Sequence, residues 1–480
     1  MRGPFFVVAR KEARALLPVW AASVITIVAD PLIRGTGMDS LFPLGMFAYI
    51  VGSLALGAHV IGHEYTNRTL GSLLAQPWKR SSMLLTKAAV LVAMLATLAC
   101  VGLFVLFLPE VRAFRTFPRG WQLALPIAGG LFVAPYVTIR LRSQMAGVVF
   151  TSAIPGTTYL VALLAGVAVY GVGTGAAEAL AVAVWPPVML IFAAAGAVLS
   201  ARSFLRLQDI EGGGEELRLP RWLAATDRNP IRPPLWMLVK KELRLQQMTF
   251  AMAALYVVIW AALTIAGRMN VEFAKEFPIR GVGLLYFALL PLLMGSIASA
   301  QERQFGMLES QSMLPIPFAQ QWAVKAGVVL VLALTLGVLL PWIVFAPPQL
   351  SSHALWPLAA TILLLTTWSL YISSWCDGGV IALALILPAS AAALVAARSI
   401  DWAMTSMLPS HYADGPYRAL TSPSALVAVW ALIGAPIVAL LLVFAGRNHR
   451  SLERNPRSLA VQMAWLAAAL IVSDFVTVIL

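Results

Sequence analysis

From Ala88 to Leu108 the chain carries no charged residue, and stretches of this kind recur along its whole length. A helix needs about 20 consecutive apolar residues to cross the hydrocarbon core of a bilayer. Backbone amides and carbonyls find no water there, so runs this long satisfy them as helices, not as barrel strands. Composition agrees. Hydrophobic residues make up 60% of the 480 and charged ones only 11%, with a mean hydropathy of +0.83. A soluble domain carries roughly 25% charged residues. The class is an all-α polytopic membrane protein.

Spans are expected near 16–30, 41–62, 84–108, 121–139, 148–170 and 179–200, then near 248–266, 282–300, 326–346, 354–375, 378–397 and 425–445. A last apolar run, 459–480, is long enough for an additional one. Two polar segments interrupt this pattern in the same register. Segment 62–87 reads GHEYTNRTLGSLLAQPWKRSSMLLTK, and 300–325 reads AQERQFGMLESQSMLPIPFAQQWAVK. Glu64 and Glu302, Leu70 and Leu308, Ser72 and Ser310, Pro77 and Pro315, and Lys87 and Lys325 pair without a gap. A second match precedes each first span, where the basic amphipathic stretches 5–15 and 236–247 carry Lys11-Glu12-Ala13-Arg14 and Lys241-Glu242-Leu243-Arg244. Helices of this composition lie in the membrane interface. The expected architecture is therefore two six-helix transmembrane repeats in a parallel pseudo-twofold arrangement, plus the extra C-terminal helix. Residues 1–200 form the first repeat, 201–235 a Gly- and Pro-rich cytoplasmic linker, 236–458 the second repeat and 459–480 the additional segment.

The net charge is +13. In a chain this apolar the basic residues set membrane orientation, and nucleic acid is not implied as a partner. With the N-terminus inside, 25 of the 34 Lys and Arg fall on the cytoplasmic side and 9 outside. That orientation places both polar segments in the cytoplasm. The two cysteines, Cys100 and Cys376, lie far apart and imply no disulfide framework.

Sites for chemistry are scarce. No G-x-x-x-x-G-K-[ST] loop is present, so the chain has no P-loop of its own. His59, His63 and Glu64 fall short of H-E-x-x-H because Asn67 stands where the second histidine belongs, and the histidines read as residues at the end of a span. No Ser/His/Asp set is apparent among the five histidines. Of the acidic residues only Asp474 falls well inside an expected span, which argues against an ion-coupled relay. The short stretches Thr69–Leu74 and Met307–Leu314, bounded by Pro77 and Pro315, have the form of levers that a partner pushes.

These residues resemble the permease subunits of type-2 ABC exporters. In that family each unit opens with an interfacial helix of Lys-Glu-Leu-Arg type. Its second and third spans are joined by a cytoplasmic motif like E-x-x-x-G-T-L-x-x-L-L-x-x-P, ending in lysine. Glu64, Thr69, Leu70, Leu73, Leu74, Pro77 and Lys87 match in the first half, and Glu302, Gly306, Leu308, Pro315 and Lys325 in the second. Arg68 replaces the motif glycine in the first half, and Gln311-Ser312 replace the leucine pair in the second. The interfacial helices match through Lys11, Glu12 and Arg14 and through Lys241, Glu242 and Arg244.

The resemblance implies two permease units fused in one chain of the plasma membrane, or of the inner membrane of a double-membraned cell. Two copies of a separate ABC ATPase would dock on the coupling segments and hold the ATP and Mg, with no cofactor in this chain and no enzyme activity of its own. Beyond membrane lipid, the partner would be an amphipathic or apolar small molecule or peptide moved outward. Phe47, Tyr49, Tyr159 and Tyr286 are the aromatic candidates for its pathway. The alternatives are a secondary transporter and a non-transporting membrane scaffold.

Overall fold

The computed structural model describes residues 4–34, 44–67, 69–106, 123–171, 175–207, 234–268, 283–304, 306–307, 316–345, 352–407, 430–451 and 455–479. Every regular element among them is helical. In chain order these are α1 Pro4–Arg34, α2 Leu44–Thr66, α3 Leu70–Leu74, α4 Arg80–Leu106, α5 Ala124–Ala128, α6 Ala134–Leu141, α7 Gln144–Tyr170 and α8 Gly175–Leu205. There follow α9 Pro234–Leu245, α10 Gln247–Arg268, α11 Gly283–Gln304, α12 Phe318–Leu334, α13 Leu340–Phe345, α14 Ser352–Ser373, α15 Gly379–Met407, α16 Ala435–Arg450 and α17 Pro456–Ile479. Three π-helical turns lie within spans: Gly129–Val133 between α5 and α6, Thr335–Leu339 between α12 and α13, and Trp430–Gly434 ahead of α16.

Among the described residues ten helices are long and apolar enough to cross a membrane, or eleven if α9 and α10 count as one bent span. The chain is a multi-pass membrane protein. The C-terminal segment folds as a helix, α17, apolar over Pro456–Val472 among the described side chains. It is held to α16 by a reciprocal amide pair. Asn448 Nδ2 donates to Gln462 Oε1 at 3.0 Å, and Gln462 Nε2 donates to Asn448 Oδ1 at 2.7 Å.

The start of the first half differs from expectation. Residues 5–15 are not a separate interfacial helix but the first turns of α1, which continues unbroken to Arg34. In the second half α9 and α10 are separate helices, broken at Gln246. The side chain there explains the difference. Leu16 is a buried apolar residue that continues its helix, whereas Gln246, at the matching position, is a buried amide. Its Nε2 donates to Met294 O at 3.1 Å, and its Oε1 accepts from Thr249 Oγ1 at 2.7 Å.

The helices group into two compact units. One holds residues 1–35, 39–230 and 250–286, and the other 36–38, 231–249 and 287–480. These boundaries differ from a division at the linker, because α10 and the start of α11 group with the first-half helices. Most of the linker, 208–233, lies outside the described residues.

In the first unit α2 is the central element, lined by α1, α4, the α5–α6 span and α7, with nearly all of its side chains buried. Lipid tails are as apolar as leucine, so helices in a membrane hold together through close packing and polar links instead. Here α2 meets the π turn of the fourth span backbone to backbone: a Cβ built on Gly57 would lie 1.8 Å from Gly130 O. The second unit solves the matching contact with hydroxyls. Ser369 Oγ donates to Leu292 O at 2.7 Å, Ser373 Oγ donates to Ser296 O at 3.1 Å, and Ser373 Oγ accepts from Ala300 N at 2.9 Å. Gly295 faces Ser369 in that contact, and it occupies the position of Gly57 in the register that pairs Glu64 with Glu302.

Gly57→Ala is expected to destabilise the protein by about 1–3 kcal/mol, because the added methyl overpacks a backbone contact that has nowhere to retreat. Gly156→Ala, in open space, should be neutral or slightly stabilising. Equilibrium unfolding of both variants in detergent checks the contrast.

Candidate functional site

The charged residues singled out by the sequence converge on two clusters. In the first, Lys87 of α4 reaches between α1 and α2. Its ammonium donates to Glu12 Oε2 at 2.7 Å, to Glu64 Oε1 at 3.3 Å and to Val60 O at 3.2 Å. Lys11 adds a bond to Glu64 Oε1 at 3.2 Å from a half-exposed side chain. Glu12 and Glu64 are fully buried, and Lys87 nearly so. Thr69 donates to Glu64 Oε2, and the Thr69 amide donates to Glu64 O at 3.0 Å, so the residue just before α3 is tied to the foot of α2.

The second cluster has the same connectivity. Lys325 of α12 donates to Glu242 Oε1 and Oε2 at 3.0 Å each and to Ala298 O at 2.9 Å, and it lies 2.7 Å from Glu302 Oε2. Lys241 donates to Glu302 Oε1. Val60 and Ala298, the carbonyls that complete each lysine's shell, fall on matching positions of the same register. Each cluster holds two lysines and two glutamates, so its charges balance, which is what burial of ionised groups requires.

His63 stands in the last turn of α2 and His59 one turn before it, at the end of a span as expected, but both are buried. His63 Nδ1 faces His59 O at 2.9 Å and therefore donates to it, while Nε2 lies 3.2 Å from Glu64 Oε1 and 3.8 Å from Glu12 Oε2. The second unit takes its imidazole from elsewhere. His449, near the end of α16, has Nε2 at 3.5 Å from Glu302 Oε2 and Nδ1 at 2.8 Å from Ser299 Oγ.

A Ser–His–Glu arrangement thus exists where the sequence reading found none. All three side chains are buried, and the carboxylate is engaged by Lys325 and Lys241. Glu12, His63 and Glu64 also present donor atoms within 4.8 Å of one another. The Lys87 ammonium already contacts both of those carboxylates and neutralises them, so the donor set needs no metal ion for charge balance.

Residues 70–74 of the first polar segment form the short helix α3. Leu70 and Leu73 of α3 are buried, Leu74 is half-buried, and Ser72, Gln76 and Pro77 face outward. Lys87 closes the motif from inside α4, within the expected third span. In the second half Gly306, just beyond α11, has φ +66°, a left-handed backbone that glycine adopts without strain. Leu308 and Pro315 lie outside the described residues. Arg14 and Arg244 are exposed beside their buried glutamates.

The aromatic candidates for a pathway are packed. Phe47, Tyr49 and Tyr286 are buried, Tyr49 OH donates to Leu123 O at 2.8 Å, and Tyr286 stacks on Tyr256 at 3.9 Å. Tyr159 is half-buried, edge-on to Trp185 at 5.2 Å.

Sequence reasoning missed His449, Ser299, Arg80 and Arg303. Arg80 Nη1 donates to Leu205 O and Leu207 O at 3.1 and 2.9 Å, and Arg303 Nη2 donates to Asn448 O and Ser451 O at 2.6 and 3.1 Å. No local motif marks these residues, because their partners lie in distant segments of the chain.

The chain matches no family model, no curated protein and no solved structure.

Lys87→Met and Lys325→Met each strand two buried carboxylates and are expected to cost about 3–5 kcal/mol. Lys11→Ala, at a half-exposed position, should cost about 1 kcal/mol or less. In a double-mutant cycle Glu12→Gln combined with Lys87→Met should recover part of the loss, and strict additivity in detergent unfolding would show that the pair does not interact.

Proposed function

We propose that the chain is the fused membrane permease of an ATP-driven ABC exporter, with its N-terminus cytoplasmic, moving an amphipathic or apolar compound outward. One observation carries the reading. Each half buries a glutamate at the inner end of its second span and binds it to a Lys-Glu pair from the first helix and a lysine from the third. That recurrence supports two permease units in one chain. The arrangement also suits work received from outside. A push on α3 reaches Glu64 through Thr69 and is delivered at once to α1, α2 and α4. Two copies of a separate ATPase would supply that push, holding ATP and Mg themselves.

A gradient-driven carrier is the second reading. It is favoured by a cluster of ionisable groups shielded from solvent: Glu12, Glu64, Lys87 and His63 are buried within helices long enough to span. Buried charge in a membrane is costly and marks function by default.

Purification from native membranes separates the two. An ABC ATPase is expected to accompany the chain as a pair of copies for each permease, and export of a fluorescent amphipath in proteoliposomes should require ATP. The double variant Glu64→Gln, Glu302→Gln should lose on the order of tenfold in ATP-dependent flux at equal membrane abundance. Flux that collapses with an uncoupler but survives ATP removal would sink the exporter reading.

A further inference from the structure

The sixth span of each half ends on a clamp that the exporter motif does not include. A helix leaves its last four carbonyls without intrahelical partners, and that end carries the negative pole of the helix dipole. An arginine offers several donors in a planar fork and suits such an end. Arg80, the first residue of α4, caps the end of α8 through Leu205 O and Leu207 O. Arg303, in the last turn of α11, caps the end of α16 through Asn448 O and Ser451 O.

The two arginines are not equivalent in sequence. In the register that pairs Glu64 with Glu302, Arg80 aligns with Phe318 and Arg303 with Tyr65. Phe318 nevertheless touches the same helix end: its ring lies 6.0 Å from that of His449, and the Arg450 guanidinium stands 5.9 Å over it. Positions 80 and 318 therefore both contact the end of their sixth span, one as the cation and the other as the ring beneath a cation. The contact is kept while its chemistry is not. Drift of this kind is expected where the docking itself is what matters.

We infer that Arg80 and Arg303 are positioning residues that fasten the inner end of each sixth span to the boundary of its coupling segment. Arg80 stands where the segment enters the third span, and Arg303 where it leaves the second. Displacement of either segment moves the sixth span as well as spans one to three. The functional consequence rests on the exporter reading above, while the clamp itself does not.

The experiment uses the full chain with its copurifying ATPase in proteoliposomes. Arg80→Ala and Arg303→Ala are expected to retain the ATPase and its ATP turnover while export per ATP hydrolysed falls on the order of tenfold. Arg→Lys at each site should restore part of the ratio, because an ammonium still caps a carbonyl. If Arg303→Ala fails to accumulate, Phe318→Leu carries the same expectation with little change in volume. A ratio within roughly twofold of wild type, with the ATPase bound, overturns the inference. Hydrogen exchange reads the clamp without reference to transport. Amides of 203–207 in Arg80→Ala and of 447–451 in Arg303→Ala should exchange faster than in wild type. Unchanged exchange removes the clamp, whereas faster exchange in a preparation with no ATPase leaves it standing and removes the exporter reading instead.

Discussion

A lysine held between two buried glutamates is the constraint from which much of each unit follows. Removing such charges from water is expensive, and the cost is offset only when the geometry is complete. Completing it takes groups from three helices. Glu12 must come from α1, Glu64 and the Val60 carbonyl from α2, and Lys87 from α4. Each helix is thereby fixed in both depth and rotation at one point. Elsewhere along α2 the contacts have little freedom left, which is why Gly57 approaches Gly130 so closely that no side chain fits.

The two units meet the same demands with different residues. Where Gly57 lets two backbones touch, Gly295 sits among hydroxyls from Ser369 and Ser373 that bond to α11 carbonyls and amides. Where the first cluster borrows its imidazole from the adjacent residue His63, the second takes His449 from α16, four long helices further along the chain. Both solutions supply what a membrane interior lacks, namely a partner for the polar groups brought into it.

Much of this is legible in the sequence, and the reason is physical. Membrane crossing demands long apolar runs, so the helices announce themselves. The ion clusters are built from residues at fixed spacing from span ends, so Glu64, Lys87, Glu302 and Lys325 stand out against an apolar background. What cannot be read depends on tertiary geometry. The partnership of Ser299 with His449, the arginine caps and the grouping of α10 with the first-half helices join segments far apart in the chain. Burial of His59 and His63 is hidden because a histidine at a span end looks the same whether it faces headgroups or a neighbouring glutamate. The continuity of α1 is hidden because the basic stretches of the two halves look alike, and a buried Gln246 in place of Leu16 is no local signal of a break.

The corresponding helices of the two halves thus differ in continuity. α1 runs unbroken for 31 residues, about 46 Å at the rise of an α-helix. An interior weak point is Pro18, which has no backbone N–H to donate. The break at Gln246 instead sets α9 at 54° to the helix that follows it. Equal forces on the two halves would then act along a continuous helix in one and across a joint in the other.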